Sequence, residues 1–162
     1  MDFPRIRGVT VKPVINGSLQ RWIVRHLTEY IQSGGRKGHM WDSRPVGGDK
    51  VVPTLLLTTI GRKSGKPSTI PLIYVQDDKS FVVVGSRGGA PEHPHWYLNL
   101  MSEGKGWIQV AQEHSGIVPE LIEGTDRESI WNELVELFPP YRDYEAQSEG
   151  VREIPVIRLT PT

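Results

Sequence analysis

Gly61-Arg62-Lys63-Ser64-Gly65-Lys66-Pro67 has the residue types to hold an anion. Two glycines let the backbone turn and approach a ligand closely, and Arg62 and Lys63 supply cationic donors. An arginine grips phosphate or carboxylate with a planar fork, whereas lysine acts as a compact point charge. The plain alternative is a solvated hairpin loop. A nucleotide-binding P-loop is excluded, because the Gly-x-x-x-x-Gly-Lys-Ser spacing is absent and the run joins two strand-like segments.

Three other segments carry polar or aromatic groups in suggestive order. Val84-Gly85-Ser86-Arg87-Gly88-Gly89-Ala90 comes after an apolar run, and its backbone N–H groups and the Ser86 hydroxyl suit an anion or a heterocycle edge. Pro94-His95-Trp96-Tyr97-Leu98-Asn99-Leu100 places Asn99 three residues after Trp96, in a segment that could equally be packing. His93 and His95 alternate as metal ligands can, but the chain has no cysteine and no paired carboxylate cluster, so no metal site is expected. Tyr141 and Tyr144 lie in Phe138-Pro-Pro-Tyr-Arg-Asp-Tyr, where a phenol can donate to a substrate oxygen or simply pack. Neither Gly-x-Ser-x-Gly nor His-Glu-x-x-His occurs, so nothing indicates a hydrolase.

The elements that must position these groups are legible from periodicity. Leu19, Ile23, Leu27 and Ile31 recur at i, i+4 and predict an amphipathic helix over 19–31, ended by Ser33-Gly34-Gly35. Residues 36–50, with Gly38, Pro45, Gly47 and Gly48, read as a loop. Runs rich in Val, Ile, Leu and Thr at 51–60, 68–76 and 81–85 predict strands. Their connections are too short for a crossover helix, so an antiparallel meander is expected. A short helix over 95–102 comes next, then strands at 106–112 and 116–123 with a tight turn near 113–115. Thr125 and Glu128 have the spacing of a capping box for a helix that Pro139-Pro140 stops. Residues 143–153 look irregular, and 154–159 form a last strand. About six strands and three helices give an α+β domain whose sheet could curl into a small barrel.

Composition sets outer limits. The chain has 162 residues, 37% hydrophobic and 23% charged, which suits one domain over 1–162: a helix-and-loop extension over 1–50 and a core over 51–162. Zero cysteines, no long apolar run and no apolar leader predict a cytoplasmic protein. The net charge of zero conceals a division: residues 1–67 hold twelve Lys and Arg against four Asp and Glu, and residues 68–162 hold seven against fifteen. Either folding intermixes the halves, or a basic face awaits an anionic ligand or the inner face of an anionic membrane. The helix over 19–31 likewise either packs on the core or lies on such a membrane.

Taken in order, Leu57-Thr58-Thr59-Ile60-Gly61-Arg62-Lys63-Ser64-Gly65, Pro71-Leu72, Gly85-Ser86-Arg87-Gly88-Gly89 and Trp96-Tyr97-Leu98-Asn99-Leu100 resemble one known family. It is the coenzyme F420 (deazaflavin)-dependent nitroreductase and quinone reductase family, among the split β-barrel flavin and deazaflavin oxidoreductases. The resemblance covers 51–157, including Ile154-Pro-Val-Ile. It implies a small antiparallel split β-barrel with an N-terminal helix and two further helices. It also implies a deazaflavin held in a groove on the barrel's surface. By that similarity Arg62, Lys63 and Ser64 hold the phosphate and the start of the oligoglutamate tail. Ser68, Thr69, Ile70, Pro71, Leu72 and Ile73 line the cofactor with backbone and side chain. Val84, Gly85, Ser86 and Arg87 meet the ring and its polar edge, and His95, Trp96, Tyr97, Leu98 and Asn99 close the other side. Tyr141 faces the substrate, with Tyr144 beside it and Ser86 also near the chemistry.

Two departures concern the acceptor. Phe138 stands where one branch has tyrosine, and Arg87 where that branch has lysine. The implied activity is hydride transfer from reduced coenzyme F420 to a quinone, nitroaromatic or similar conjugated acceptor, the hydride residing on the cofactor. An FMN-binding split-barrel enzyme and a non-catalytic module that holds cofactor or lipid are the alternatives. The expected partner is a small molecule, with no nucleic acid, and the expected state is a monomer.

Overall fold

The computed structural model describes residues 3–162. Strands β1 (Arg5–Ile6) and β2 (Val9–Thr10) form a hairpin turned through left-handed Arg7 and Gly8. Helix α1 (Arg21–Gln32) comes next, then strands β3 (Met40–Asp42), β4 (Val51–Ile60), β5 (Pro67–Ile73), β6 (Val75–Asp77) and β7 (Ser80–Val84). After these lie α2 (His95–Glu103), β8 (Gly106–Val110) and β9 (Glu113–Leu121). Helices α3 (Gly124–Leu137) and α4 (Pro140–Ser148) precede strand β10 (Val156–Pro161).

The second sheet has the order β3-β4-β8-β9-β10-β7-β6, with β5 paired to β4. All its pairings are antiparallel, as short connections require. Over Leu55–Thr58, β4 is paired on both sides, to β5 and to β8. The period of two along this strand sorts its leucines. Leu55 and Leu57 point into an interior cluster with Val83, Leu100, Ile108 and Ile157, around which the sheet curls as a half-barrel. Leu56 points outward, under Leu27 and Tyr30 of α1, all three fully buried. The same alternation sends Val82, Val84 and Val156 outward, beneath Ile130, Trp131 and Leu134 of α3. The α+β class and the curled antiparallel sheet agree with the sequence reading.

The apolar stripe over 19–31 therefore packs on the sheet. Removing a fully buried leucine such as Leu27 costs about 2–5 kcal/mol on the usual scale for leucine-to-alanine changes. The described residues contain no helix long and apolar enough to cross a membrane.

Several local expectations are corrected. Residues 40–42 within the supposed loop pair with β4, and Arg44–Val46 form a 3-10 turn. The run over 68–76 breaks at Tyr74, because β5 belongs to β4 while β6 belongs to β7. The turn between β8 and β9 lies at Ala111-Gln112, since Val110 pairs with Glu113; its left-handed residue is Ala111, not a glycine. Thr125 is not a cap: α3 starts at Gly124, Glu123 occupies the cap position, and no side chain caps the helix. Residues 143–148 are helical, so there are four helices rather than three. The second of two consecutive prolines explains it. Pro140 occupies a first-turn position of α4, where its missing N–H has no intrahelical role anyway.

Candidate active site

The segment between β4 and β5 closes through Gly61 N–H to Lys66 C=O and Gly65 N–H to Gly61 C=O, both 2.9 Å. Gly65 is left-handed, with φ of 69°, the geometry that glycine supplies without strain. Asn99 Oδ1, buried on α2, accepts the Arg62 backbone N–H at 3.1 Å and its Nη1 at 2.8 Å. Ser64 Oγ accepts the Lys66 N–H at 3.2 Å, which leaves its own proton to donate. Lys63 is exposed and has no ion-pair partner among the described residues.

The segment after β7 is built differently. Gly85 N–H donates to Pro155 C=O at 2.9 Å, and the carbonyls of Gly85, Ser86 and Ala90 all accept from the Arg152 guanidinium. Arg87, Gly88 and Gly89 are consecutively left-handed, and a Cβ on Gly89 would meet the Gln147 side chain at 3.0 Å. The N–H groups of Ser86, Arg87 and Gly88 find no partner among the described residues. Such a run of free N–H groups forms a nest suited to an anion or a carbonyl oxygen. Arg87 itself reaches out to Glu92 at 3.4 Å.

Helix α2 joins the two segments. Its entry, His93-Pro94, lies against Gly85 and Arg152, and its second-turn Asn99 grips Arg62. At about 1.5 Å per helical residue the two anchor points lie roughly 8–9 Å apart along the helix. A small anion spans one of them; an extended ligand spans both.

Helix α4 supplies the tyrosines. Tyr141, Tyr144 and Ser148 fall at i, i+3 and i+7, on one face. That face packs against α3, and beside it Gln147 ties the helix to the Gly-rich turn, its Nε2 donating to Gly89 C=O at 3.0 Å. Tyr141 is 5% exposed and ringed by Trp131, Phe138 and Tyr144, with Phe138 edge-on at 4.9 Å. Its hydroxyl makes no hydrogen bond among the described residues, yet it is not one of their fully buried unpartnered atoms. Burial, then the neighbouring Tyr144, push the Tyr141 phenol well above its ordinary value. Burial, then the Asp143 charge, raise Tyr144 too. Both phenols are therefore protonated donors at neutral pH. The Ser148 hydroxyl, also buried, has no partner either.

Some residues named from the sequence take other places. Thr69 is 1% exposed, and its hydroxyl is engaged by Val14 N–H at 2.9 Å and Thr58 at 2.7 Å. Trp96 is 7% exposed and packs in the interior cluster. Val84 is buried beneath α3. Ile70 and Leu72 line the interior cluster, Ile73 packs on the α3 side, and Ser68 and Pro71 are half-buried. On α2, His95 is exposed, and Tyr97 and Leu98 are half-buried. The described residues contain no group of three or more His, Asp or Glu arranged to hold a metal ion.

Arg152 and Gln147 escaped the sequence reading. Arg152 lies 59 to 67 residues from the groups it holds, so no local spacing announces it. A cleft of about 440 Å³ behind α4, lined by Arg127, Arg142, Glu145, Glu149, Arg152 and Glu153, also went unseen. It carries three basic and three acidic side chains, and only Arg152 connects it to the Gly-rich turn.

A curled antiparallel half-barrel with a cationic hairpin loop tied to the middle of α2 and a nest at its entry defines a split-barrel protein. The pattern of the family described as F420H(2)-dependent quinone reductase matches residues 22–161, and the chain belongs to that family. An F420H(2)-dependent quinone reductase of Mycobacterium tuberculosis is 31% identical over 153 residues, covering 88% of this chain and 97% of its own. The solved structure of an F420-H2 dependent reductase, FDR-A, is 35% identical, with a TM-score of 0.60 over 66% of this chain and 93% of its own. A second solved structure, described as a domain-swapped dimer, is 34% identical, with a TM-score of 0.63 over 84% of this chain and 96% of its own. The protein is an oxidoreductase of the F420-dependent class, with coenzyme F420 as its cofactor.

Proposed function

We propose that the chain carries out hydride transfer from reduced coenzyme F420 to a quinone or similar conjugated acceptor, in the groove between α2, the Gly-rich turn and α4. The observation that carries this placement is the pair of unengaged groups flanking α2: the Lys63 cation beside the loop tied to mid-helix Asn99, and the Ser86–Gly88 N–H groups near its entry. They fit a cofactor with an anionic tail and a polar-edged ring. Bound there, the reduced deazaflavin supplies the hydride.

The protein's own groups bind, orient and donate. Arg62, Lys63 and Ser64 hold phosphate and carboxylate, with Arg62 pre-set by Asn99. Ser86 and the backbone around it meet the ring's polar edge. His95, Tyr97, Leu98 and Asn99 flank it, and β5 lines the floor with its backbone and with Ser68, Ile70 and Leu72. The Tyr141 phenol donates toward the acceptor oxygen as negative charge develops there. Trp131 and Phe138 hold the ring of that phenol in place.

Quinones head the acceptor range, and nitroaromatics belong to it as similarly conjugated electron acceptors. The pairing of β3 with β4 supports reading 1–162 as one domain. We also read the protein as cytoplasmic and monomeric, the latter against the domain-swapped dimer of a solved relative. Size-exclusion chromatography tests the monomer against a swapped dimer. Failure to sediment with anionic vesicles leaves α1 its packing role alone. The central test titrates the protein with oxidised F420 and with FMN, then monitors oxidation of F420H2 by a quinone panel. Tight F420 binding with turnover supports the reading; FMN preference or no turnover overturns it.

A further inference from the structure

Arg152 enters the structure just after α4, yet its guanidinium is directed at the Gly-rich turn. Nη1 donates to Gly85 C=O at 3.1 Å and to His93 Nδ1 at 3.0 Å. Nη2 donates to Ser86 C=O at 2.8 Å, and Nε to Ala90 C=O at 3.0 Å. No carboxylate pairs with it among the described residues. Gln147 adds a bond to Gly89 C=O at 3.0 Å. Four carbonyls of a six-residue segment are thus held by two side chains.

The peptide plane turns this into function. In a trans peptide, the C=O of one residue and the N–H of the next point in opposite directions. There are no cis peptides among the described residues. Holding Gly85 and Ser86 carbonyls on the Arg152 side therefore aims the Ser86 and Arg87 N–H groups away from it. These are two of the three N–H groups left without a partner. The charge adds to the effect: an arginine surrounded by neutral acceptors polarises the peptides it holds, making their N–H groups better donors.

We propose that Arg152, assisted by Gln147, is the positioning residue that turns the Ser86-Arg87 N–H groups toward the cofactor. This rests on the reading that the turn faces F420. Lysine cannot replace the function, because one ammonium cannot reach four acceptors in a planar fork.

The test measures amide hydrogen exchange of residues 85–90 with and without oxidised F420, together with the F420 Kd. The proteins compared are wild type, Arg152→Lys, Arg152→Ala and Gln147→Ala. In wild type, F420 should protect the Ser86 and Arg87 amides. Arg152→Lys should exchange the segment faster in the free protein and raise the Kd roughly 10-fold or more, the scale of lost charge-assisted bonds. Guanidinium ion should restore affinity to Arg152→Ala, whereas tetramethylammonium at equal ionic strength should not. Gln147 is exposed, so Gln147→Ala keeps the fold and should loosen the same amides more mildly if the arginine variants do not fold. Protection in wild type with unchanged exchange and Kd in the variants overturns the proposal alone. Absence of protection in wild type overturns the reading of the turn, and the proposal with it.

Discussion

Asn99 accepts both the backbone N–H and the guanidinium of Arg62 through a single buried oxygen, at 3.1 and 2.8 Å. Helix α2 and the β4–β5 loop are thereby one rigid unit. Arg62 is partly engaged within the fold, whereas Lys63, like Lys66, is exposed and unpaired among the described residues.

Lys63→Ala should accordingly weaken binding of oxidised F420 by roughly 10- to 100-fold, the scale of one charge-assisted hydrogen bond. Added salt should weaken wild type more than the variant, because one screened contact is gone. Asn99→Ala should also lose affinity, with the salt dependence kept. Fluorescence titration at two ionic strengths measures both, and unchanged affinity in folded Lys63→Ala removes the loop from the site.

How much of the structure is legible in the sequence depends on how local the determining contacts are. The uninterrupted β-type run Val51–Ile60 folds as one strand over its whole length. The i, i+4 stripe under α1 is buried through Leu27, with Tyr30 beside it. Both are properties of a dozen neighbouring residues. Pro140 misleads, because proline both ends helices and begins them, and the outcome depends on whether the next residues can pack into a core. The engagement of the Thr69 hydroxyl is not legible locally, because its partner Val14 lies 55 residues away. The motifs point to the Gly-rich turn, but the side chains that orient it come from the far end of the chain.

The Tyr30 hydroxyl fastens α1 to the sheet. It donates to Thr54 C=O at 2.8 Å and accepts the Ala111 N–H at 2.9 Å, in a fully buried setting that raises its pKa. Tyr30→Phe strands both partners, and an unsatisfied buried group costs about 1–3 kcal/mol. A loss of about 2–4 kcal/mol in urea unfolding is expected on that basis, with F420 affinity unchanged in the folded fraction. A loss below about 0.5 kcal/mol, the scale of an ordinary surface change, contradicts the anchoring role.

Acid should destabilise the fold through its histidines. His26, His39, His93 and His114 all have pKa values below the ordinary imidazole value, chiefly because burial disfavours the charged ring. The unfolded chain therefore binds protons more readily, and stability rises with pH in this range. The contribution is full above about pH 6.5, the unfolded value, and is lost as pH falls through the lowered folded values. His26 stacks on Trp41 at 5.6 Å and donates to Gly38 C=O at 2.8 Å. Urea midpoints between pH 7.5 and 5 should fall for wild type and fall less steeply for His26→Gln. Equal slopes refute a share for His26.

Tyr141 offers the sharpest test of the acceptor side. Its ring is held by Trp131, Phe138 and Tyr144, while its hydroxyl has no hydrogen bond among the described residues. A hydroxyl with no hydrogen-bond partner within the fold adds little to folding, so Tyr141→Phe should leave thermal stability nearly unchanged. The burial that raises its pKa keeps the proton on the oxygen, ready to be donated. A bond made mainly in the transition state lowers turnover when removed and leaves ground-state binding alone. Tyr141→Phe should therefore lose about 10- to 1,000-fold in kcat/KM for quinones, the span around one preorganised donor, while F420 Kd stays constant. Tyr144→Phe should be milder, since that phenol is half-buried and open to water. Phe138→Tyr, which adds a hydroxyl beside Tyr141, should shift the ranking of acceptors without changing F420 affinity. Full turnover by Tyr141→Phe across several acceptors would make Tyr141 a packing residue and send the proton through solvent.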